Sequence, residues 1–271
     1  MYPVNALEGL VGGFQARSLG FASVDGVLID AVVNLPDGGI RGGVVLAHGI
    51  TVDRDEGGMF VRLAERLAGA GFGVLRFSYR GHGESGGTQE GVTIAGEMLD
   101  LQTAVAVART EFAGPLSLVA ASFGAVSSCV SLPYLEGRLS RLVLWNPVLD
   151  LVRTFVEPEL PWGVENFGPE AQAALNDRGH LLVDDEFKLG RVLFEEFTRY
   201  RPAEAFAASG VPALVVHGDR DSYVSYEIAA RAAKERPATA LHTIEGSDHG
   251  FDSREREDDA ITVTVDWLSG A

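Results

Sequence analysis

The chain has 271 residues, with 22 Lys plus Arg against 38 Asp plus Glu, a formal net charge of −16 at pH 7. An apolar share of 46% and a charged share of 22% are ordinary for a globular chain, with enough apolar surface to offset the entropy of ordering. So acidic a chain lacks the basic face that nucleic acid or an anionic membrane demands.

One cysteine, Cys129, rules out an intramolecular disulfide framework and any Cys-based zinc cluster. The opening MYPVNALEGLVGGFQARS has neither the basic start nor the long apolar core of a signal peptide, and no stretch reaches the ~18 apolar residues that span a bilayer. A cytoplasmic location is the expectation.

Phe14 to Ala22 and Val27 to Leu35 flank Asp25-Gly26, a strong hairpin-turn signal. Compact apolar runs follow at Val44 to Ala47, Val74 to Phe77, Leu116 to Ala120, Leu142 to Trp145, Ala213 to His217 and Ala240 to Ile244. Such runs fit strands buried on both faces of a parallel sheet. Helical spacing lies between them. Phe60, Leu63, Ala64, Leu67 and Ala68 form one stripe, which Gly71 stops. Ile94, Met98, Leu101, Val105 and Ala108 form a second, Phe123 to about Leu132 a third, and Ala260 to Leu268 a fourth. Strand–helix alternation after an antiparallel start predicts an open, mostly parallel sheet with helices on both faces.

The alternation breaks between Asp150 and Arg201, about 50 residues where a simple crossover needs a dozen or so. The gap holds Phe155, Trp162, Phe167, Phe187, Phe194, Phe197 and Tyr200. Asp184 to Tyr200 reads as a helix, and residues 150–201 as a small, largely helical cap set into a core domain of 1–149 and 202–271. Long loops in compact domains are usually functional. The plainer alternative is a surface excursion whose aromatics pack on the body. Trp162, Phe187 and Phe194 are the candidate substrate contacts of the cap.

Five short motifs fall at strand ends. Val44 to Ala47 runs into His48-Gly49-Ile50-Thr51, a loop that can aim a backbone N–H at a developing oxyanion. Its partner would be the N–H after the nucleophile, so the donors are Ile50 and Phe123. Arg80-Gly81-His82-Gly83-Glu84-Ser85 reads as a structural loop supporting that turn. Leu116 to Ala121 runs into Ser122-Phe123-Gly124, with small residues two positions either side of Ser122. A nucleophile elbow needs this, because the serine sits on a sharp strand-to-helix turn. A serine between small residues could equally be a helix N-cap. Val215-Val216-His217-Gly218-Asp219-Arg220-Asp221 presents two carboxylates at a strand end, where open α/β sheets bind ligands. Asp221 is favoured as the carboxylate that orients a base, and Asp219 as the turn former. His249, in Glu245-Gly246-Ser247-Asp248-His249-Gly250-Phe251, is the one histidine on a loop after the last strand. His217 and His242 lie inside strand patterns and read as structural.

The order Ser122, Asp221, His249 is serine, acid, histidine. With the five motifs in sequence, the chain resembles the α/β-hydrolase superfamily, nearest its soluble esterase and thioesterase branches with the feruloyl (cinnamoyl) esterases and dienelactone-hydrolase-like proteins. Two positions depart from the common pattern. Ala120 stands where the first motif glycine is usual, and Ser78 where many relatives carry an aspartate. The resemblance implies an α/β-hydrolase fold, with a mostly parallel eight-stranded sheet flanked by helices and a small helical cap insertion. It also implies hydrolysis of an ester or thioester through an acyl-enzyme. Ser122 is then the nucleophile, His249 the base and Asp221 its orienting acid. No metal or organic cofactor is implied. The expected partner is a small-molecule ester or thioester with an apolar or aromatic acyl group, not nucleic acid or membrane, with a homodimer left open. The alternatives are acyl transfer or acyl release from a thioester carrier, and a binding protein that keeps the pocket without turnover. Elsewhere, Cys129 reads as core, Asp53-Arg54-Asp55-Glu56 as a solvated helix start, with substrate contact as its alternative because it lies close to the oxyanion loop, and Ser253 to Asp259 as a solvated helix face.

Overall fold

A computed structural model describes residues 7–8 and 14–270. A two-residue strand β1 (Leu7–Glu8) pairs with β2 (Phe14–Ala22), which forms an antiparallel hairpin with β3 (Leu28–Pro36). The Gly26 amide donates to the Ser23 carbonyl at 2.8 Å and Gly26 is left-handed at φ 91°, which Asp25-Gly26 favours. Alternation follows: β4 (Gly42–Ala47), α1 (Met59–Gly69), β5 (Phe72–Phe77), α2 (Ile94–Glu111), β6 (Leu116–Ala121), α3 (Gly124–Leu135) and β7 (Arg141–Trp145). The long segment then supplies α4 (Pro161–Phe167), α5 (Pro169–Arg178), β8 (His180–Val183), β9 (Phe187–Gly190) and α6 (Arg191–Glu196). The chain ends with α7 (Pro202–Ala208), β10 (Ala213–Gly218), α8 (Tyr226–Glu235), β11 (Thr239–Ile244) and α9 (Arg254–Ser269).

Eight strands of ordinary length make one sheet, which β1 extends at its edge, in the order β1-β2-β3-β5-β4-β6-β7-β10-β11. From β5 to β11 every pairing is parallel, and β3 joins β5 antiparallel. Strands β4, β5, β6 and β10 are buried throughout, and their side chains alternate between two cores. Val45, Ala47, Leu118, Ala120, Val215 and their neighbours face α2, α3, α7 and α8. Val44, Leu46, Val119, Ala121 and Val216 face α1 and α9. The period of two in the strands thus meets the 3.6-residue stripes of helices on each side. In α1 the stripe Phe60, Leu63, Ala64, Leu67 and Ala68 is entirely buried. Each large side chain so covered contributes ~1.5–3 kcal/mol of transfer free energy. Among the described residues no helix is long and apolar enough to cross a membrane.

The segment after β7 differs from its expected form in one respect. Asp184 to Tyr200 is not a helix: β8 and β9 form an antiparallel hairpin, and α6 spans only six residues. Leu181, Val183, Phe187 and Leu189 turn inward while Leu182 and Lys188 turn outward, a period of two hidden among charged residues. Asp184 and Asp185 are both left-handed (φ 52° and 57°), and Glu186 N–H closes on the Val183 carbonyl, as in a primed hairpin turn. Short acidic side chains tolerate that conformation better than most. The segment builds a third core, in which Phe155, Phe167, Phe187 and Phe197 pack with Ile50, Phe123 and Val148 of the strand-end loops and Val126 of α3.

An ion cluster fixes the loop after β5 to the hairpin and to α2. The Arg80 amide and Nε donate to Asp100 Oδ2 at 3.0 and 2.9 Å, and Nη2 donates to Oδ1 at 2.8 Å. The same guanidinium reaches Asp25 in the β2–β3 turn at 2.7 Å. Asp100 is wholly buried whereas Asp25 is exposed. Removing the buried partner strands charge, at about 3 kcal/mol or more, whereas an exposed partner contributes at most about 1 kcal/mol. Asp100→Ala should therefore lower the urea unfolding midpoint far more than Asp25→Ala, with the slope unchanged. Equal effects would show that the cluster is solvated in solution.

Candidate active site

Strand β6 delivers Ser122 at its carboxyl end, with a left-handed backbone (φ 49°) that a non-glycine residue rarely adopts. Three backbone bonds hold it there. Its N–H donates to the Trp145 carbonyl at 2.8 Å, and its carbonyl accepts from Val148 and Ala125. Gly124 opens α3 against the end of β4, where a Cβ would lie 2.4 Å from the His48 oxygen. Close approach of helix to strand therefore demands glycine at that position, while Ala120 is accommodated in the core.

Ser122 O–H donates to His249 Nε2 at 3.1 Å, and His249 Nδ1–H donates to Asp221 Oδ2 at 2.8 Å. Asp221 Oδ2 also accepts from His217 Nε2 at 3.1 Å, and Oδ1 accepts the Tyr223 and Val224 amides at 2.9 and 2.8 Å. Burial alone would favour the neutral acid. The His249 charge and the hydrogen bonds from His217 and His249 outweigh it and hold the carboxyl well below the usual range. His249 is the reciprocal case. Burial disfavours the imidazolium, but the Asp221 charge and hydrogen bond, with Glu56 and Asp248, raise its pKa above the ordinary value. Asp219 faces elsewhere: its Oδ1 takes the Gly246 amide at 2.6 Å and shapes the turn. Asp248 ties the two loops together, accepting the His249 and Ser222 amides, each at 2.7 Å. The Tyr223 ring stacks on the imidazole of His249 (4.7 Å, 7°), and Trp162 stacks on the far face of Tyr223 (4.9 Å, 10°).

The amides of Ile50 and Phe123, the two expected oxyanion donors, donate to no protein acceptor among the described residues. Their loop is firmly braced. His48 Nδ1–H donates to the Gly49 carbonyl at 2.7 Å and Nε2 accepts the Tyr79 amide at 2.9 Å, which fixes a neutral tautomer. Burial, with the nearby His82 charge, keeps it unprotonated. His82 Nε2 bonds the Ile50 carbonyl at 2.5 Å. The Arg80 to Ser85 loop thus does brace the turn that carries Ile50.

A cavity of about 250 Å³ opens above Ser122 and His249. Ile50, Val52, Met59, Val148, Phe155 and Trp162 give it an apolar wall, and Glu56 and Asp184 add two carboxyl groups. Of the three aromatics expected to touch substrate, only Trp162 lines this cavity. Phe187 is buried and stacks on His82 (4.8 Å, 19°), and Phe194 packs edge-on against Phe197 (5.8 Å), because the hairpin turns both toward the third core. Glu56 is not part of a solvated helix start. Helix α1 begins at Met59, and Glu56 turns inward to accept the Gly49 amide at 2.7 Å. The glycine pair after Glu56 was the local hint of that turn. Nothing local distinguishes Tyr223, whose position follows from the loop after Asp221.

The family model Hydrolase_4, described as serine aminopeptidase, S33, matches residues 38–192. Over 92 residues the chain is 38% identical to a monoacylglycerol lipase of Mycolicibacterium smegmatis, covering 34% of this chain and 32% of that lipase. The match thus spans about a third of the length of that relative. Among solved structures, Est1E from Butyrivibrio proteoclasticus with ferulic acid bound superposes with a TM-score of 0.77 at 22% identity, over 90% of this chain and 95% of that one. A Pyrococcus furiosus esterase gives 0.72 at 19% identity, over 99% and 98%. Alpha/beta hydrolase domain-containing protein 10 from mouse gives 0.75 at 16%, over 94% and 99%. At these identities the structures share the fold. With more than half of its residues matched by the family model, the chain belongs to the serine aminopeptidase, S33, family of α/β hydrolases.

Proposed function

We propose that the chain is a serine hydrolase that cleaves a carboxylic ester or thioester of an apolar or aromatic small molecule through an acyl-enzyme. The unbroken hydrogen-bond path from Ser122 Oγ through His249 to the buried carboxylate of Asp221 carries this reading. Ser122 Oγ attacks the carbonyl carbon as its proton passes to His249 Nε2. The imidazolium so formed is stabilised by Asp221, which itself stays ionised. The Ile50 and Phe123 amides receive the carbonyl oxygen as it gains charge, each such donor contributing about 3 kcal/mol at the transition state. His249 then returns the proton to the leaving alcohol or thiol, and water repeats the cycle on the acyl-enzyme. The apolar wall favours an uncharged acyl group. In this reading residues 150–201 are a cap, since Phe155, Trp162 and Asp184 bring it to the cavity beside Ser122. The relatives named esterase or lipase support the same chemistry.

Intact-mass detection of an acyl adduct that disappears in Ser122→Ala tests the reading directly. That variant should lose ~10³-fold or more in kcat with its unfolding midpoint unchanged, since the elbow serine fills little core volume. Retention of most activity overturns the assignment.

The base must be neutral to accept the Ser122 proton, so kcat/KM rises with pH as His249 loses its own. Because Asp221 favours the imidazolium, the midpoint should lie above the ordinary histidine value of about 6.5. Asp221→Asn should lower both the midpoint and the plateau, and Asp219→Asn should move neither. A flat profile from roughly pH 5 to pH 8 contradicts a histidine base.

Trp162→Ala should change relative kcat/KM across an ester panel by ~1–3 kcal/mol, as expected of a pocket contact. Phe194→Ala should instead lower stability and leave the ranking alone. An unchanged ranking in both variants makes the inserted segment packing rather than a selector.

A further inference from the structure

We propose that Glu56 is a substrate-binding group that receives a hydrogen-bond donor, a hydroxyl or a protonated amine, carried by the substrate near its scissile carbonyl. This rests on Ser122 being the nucleophile. The placement is close: a methyl built on Gly49 would lie 3.3 Å from Ser122 Cβ and 3.4 Å from Glu56 Oε1, so this oxygen and the serine flank the same glycine. Glu56 lines the cavity; its Oε2 is committed to the Gly49 amide, whereas Oε1 accepts from no protein donor among the described residues.

The backbone points the same way. Glu56, Gly57 and Gly58 are left-handed in succession, at φ 47°, 62° and 96°. Glycine takes that conformation freely, but a residue with a Cβ gives up roughly 1–2 kcal/mol there. The one position of the three that keeps a side chain turns a carboxyl toward the nucleophile. Strain of this kind collects where a ligand is clamped.

Charge selects the partner. The other carboxyl of the cavity, Asp184, is tied to the inserted segment through Oδ1, which accepts Trp162 Nε1 at 2.7 Å and Asn166 Nδ2 at 3.2 Å, whereas Glu56 is the one that shares Gly49 with Ser122. Among the described residues no lysine or arginine lines the cavity. An anionic substituent would meet two carboxyl groups and no permanent cation, whereas a hydroxyl or an ammonium finds an open acceptor. Burial raises the Glu56 carboxyl to about 7 against the Gly49 hydrogen bond and the His249 charge, so a bound cation can draw it into the ionised form near neutrality.

Glu56→Gln separates substrate binding from support of the loop. Glutamine has one acceptor oxygen, which the Gly49 amide claims, and its NH2 then faces the cavity as a donor opposite the substrate's donor. The probes are isosteric ester pairs with the donor on either side of the bond. On the alcohol side they are dimethylaminoethyl against isopentyl benzoate, and glycol monobenzoate against propyl benzoate. On the acyl side they are p-nitrophenyl dimethylaminobutyrate against p-nitrophenyl isoheptanoate. In the wild type at least one donor ester should exceed its isostere about ten-fold or more in kcat/KM, and the ratio should fall to about one in Glu56→Gln, because the donor esters lose rate while the apolar esters hold or gain it. Which pair responds tells amine from hydroxyl. Ratios near one throughout the wild type, or an equal loss on every ester in the variant, overturn the assignment. Fluorophosphonate labelling of Ser122, read by mass in both proteins, keeps the two readings apart. If Ser122 labels and the ratios are one, only the role of Glu56 falls; if the wild-type serine does not label, the nucleophile falls first.

Discussion

Ser122 occupies a backbone conformation that costs an L-residue roughly 1–2 kcal/mol, and the surrounding architecture makes that conformation obligatory. Strand β6 is buried on both faces and cannot swing. Helix α3 must begin at once, and Gly124 lets it lie against the carbonyls of Ala47 and His48. The chain has no room for a gentler turn between them. The side chain is consequently carried clear of the sheet on the edge where the loops after β4, β10 and β11 emerge. This one constraint decides where the cavity is, which amides flank it, and which loops can reach it.

Asp221 is the second fixed point. A buried carboxylate without partners is prohibitively costly, and here four donors meet it: two amides of its own loop and two imidazoles. The amides set the height of the carboxylate above β10. His217, rooted in that strand, holds Oδ2 from below while His249 approaches from the neighbouring loop. Asp248 latches that loop to Ser222. The geometry of His249 therefore depends on the register of β10 and β11, a property of the core, rather than on a flexible segment. Its stacked neighbour Tyr223 extends the chain of contacts to Trp162 of the inserted segment, so the packing of that segment bears directly on the imidazole face.

What could be read from the sequence follows this division. The sheet was legible because strands such as Val44 to Ala47 and Ala213 to His217 are apolar at every position, and only burial on both faces explains that. Ser122, Asp221 and His249 were legible because each sits in a short glycine-rich turn directly after such a strand, a local pattern with a geometric consequence. The β8–β9 hairpin was not, since Asp184-Asp185-Glu186 interrupts a weak alternation and acids are common at helix starts as well. Phe187 and Phe194 were aromatic in the right segment, but which way they point depends on that hairpin. Glu56 was concealed for another reason. Its neighbours Asp53 and Asp55 make a solvated acidic run the natural reading, and only the left-handed turn through Gly57 and Gly58 carries its side chain inward.

That inward turn gives the cavity an electrostatic problem of its own. The oxyanion would form beside Gly49, and the Glu56 carboxyl accepts the amide of the same glycine. Two negative charges a few ångströms apart in a partly desolvated site oppose each other by several kcal/mol. An ionised, unpaired Glu56 would thus raise the barrier that the Ile50 and Phe123 amides, as the proposed oxyanion donors, would lower. The conflict disappears if Glu56 carries its own proton, or if a donor on the substrate partly neutralises it. In the second case the same charge that obstructs a plain substrate assists a donor-bearing one, because the partner arrives with the carbonyl it accompanies. Selectivity would then come from a penalty on the wrong substrate as well as from a contact with the right one. The overall charge of −16 extends that bias outward, since a strongly acidic molecule concentrates neutral or cationic solutes at its openings in preference to anions.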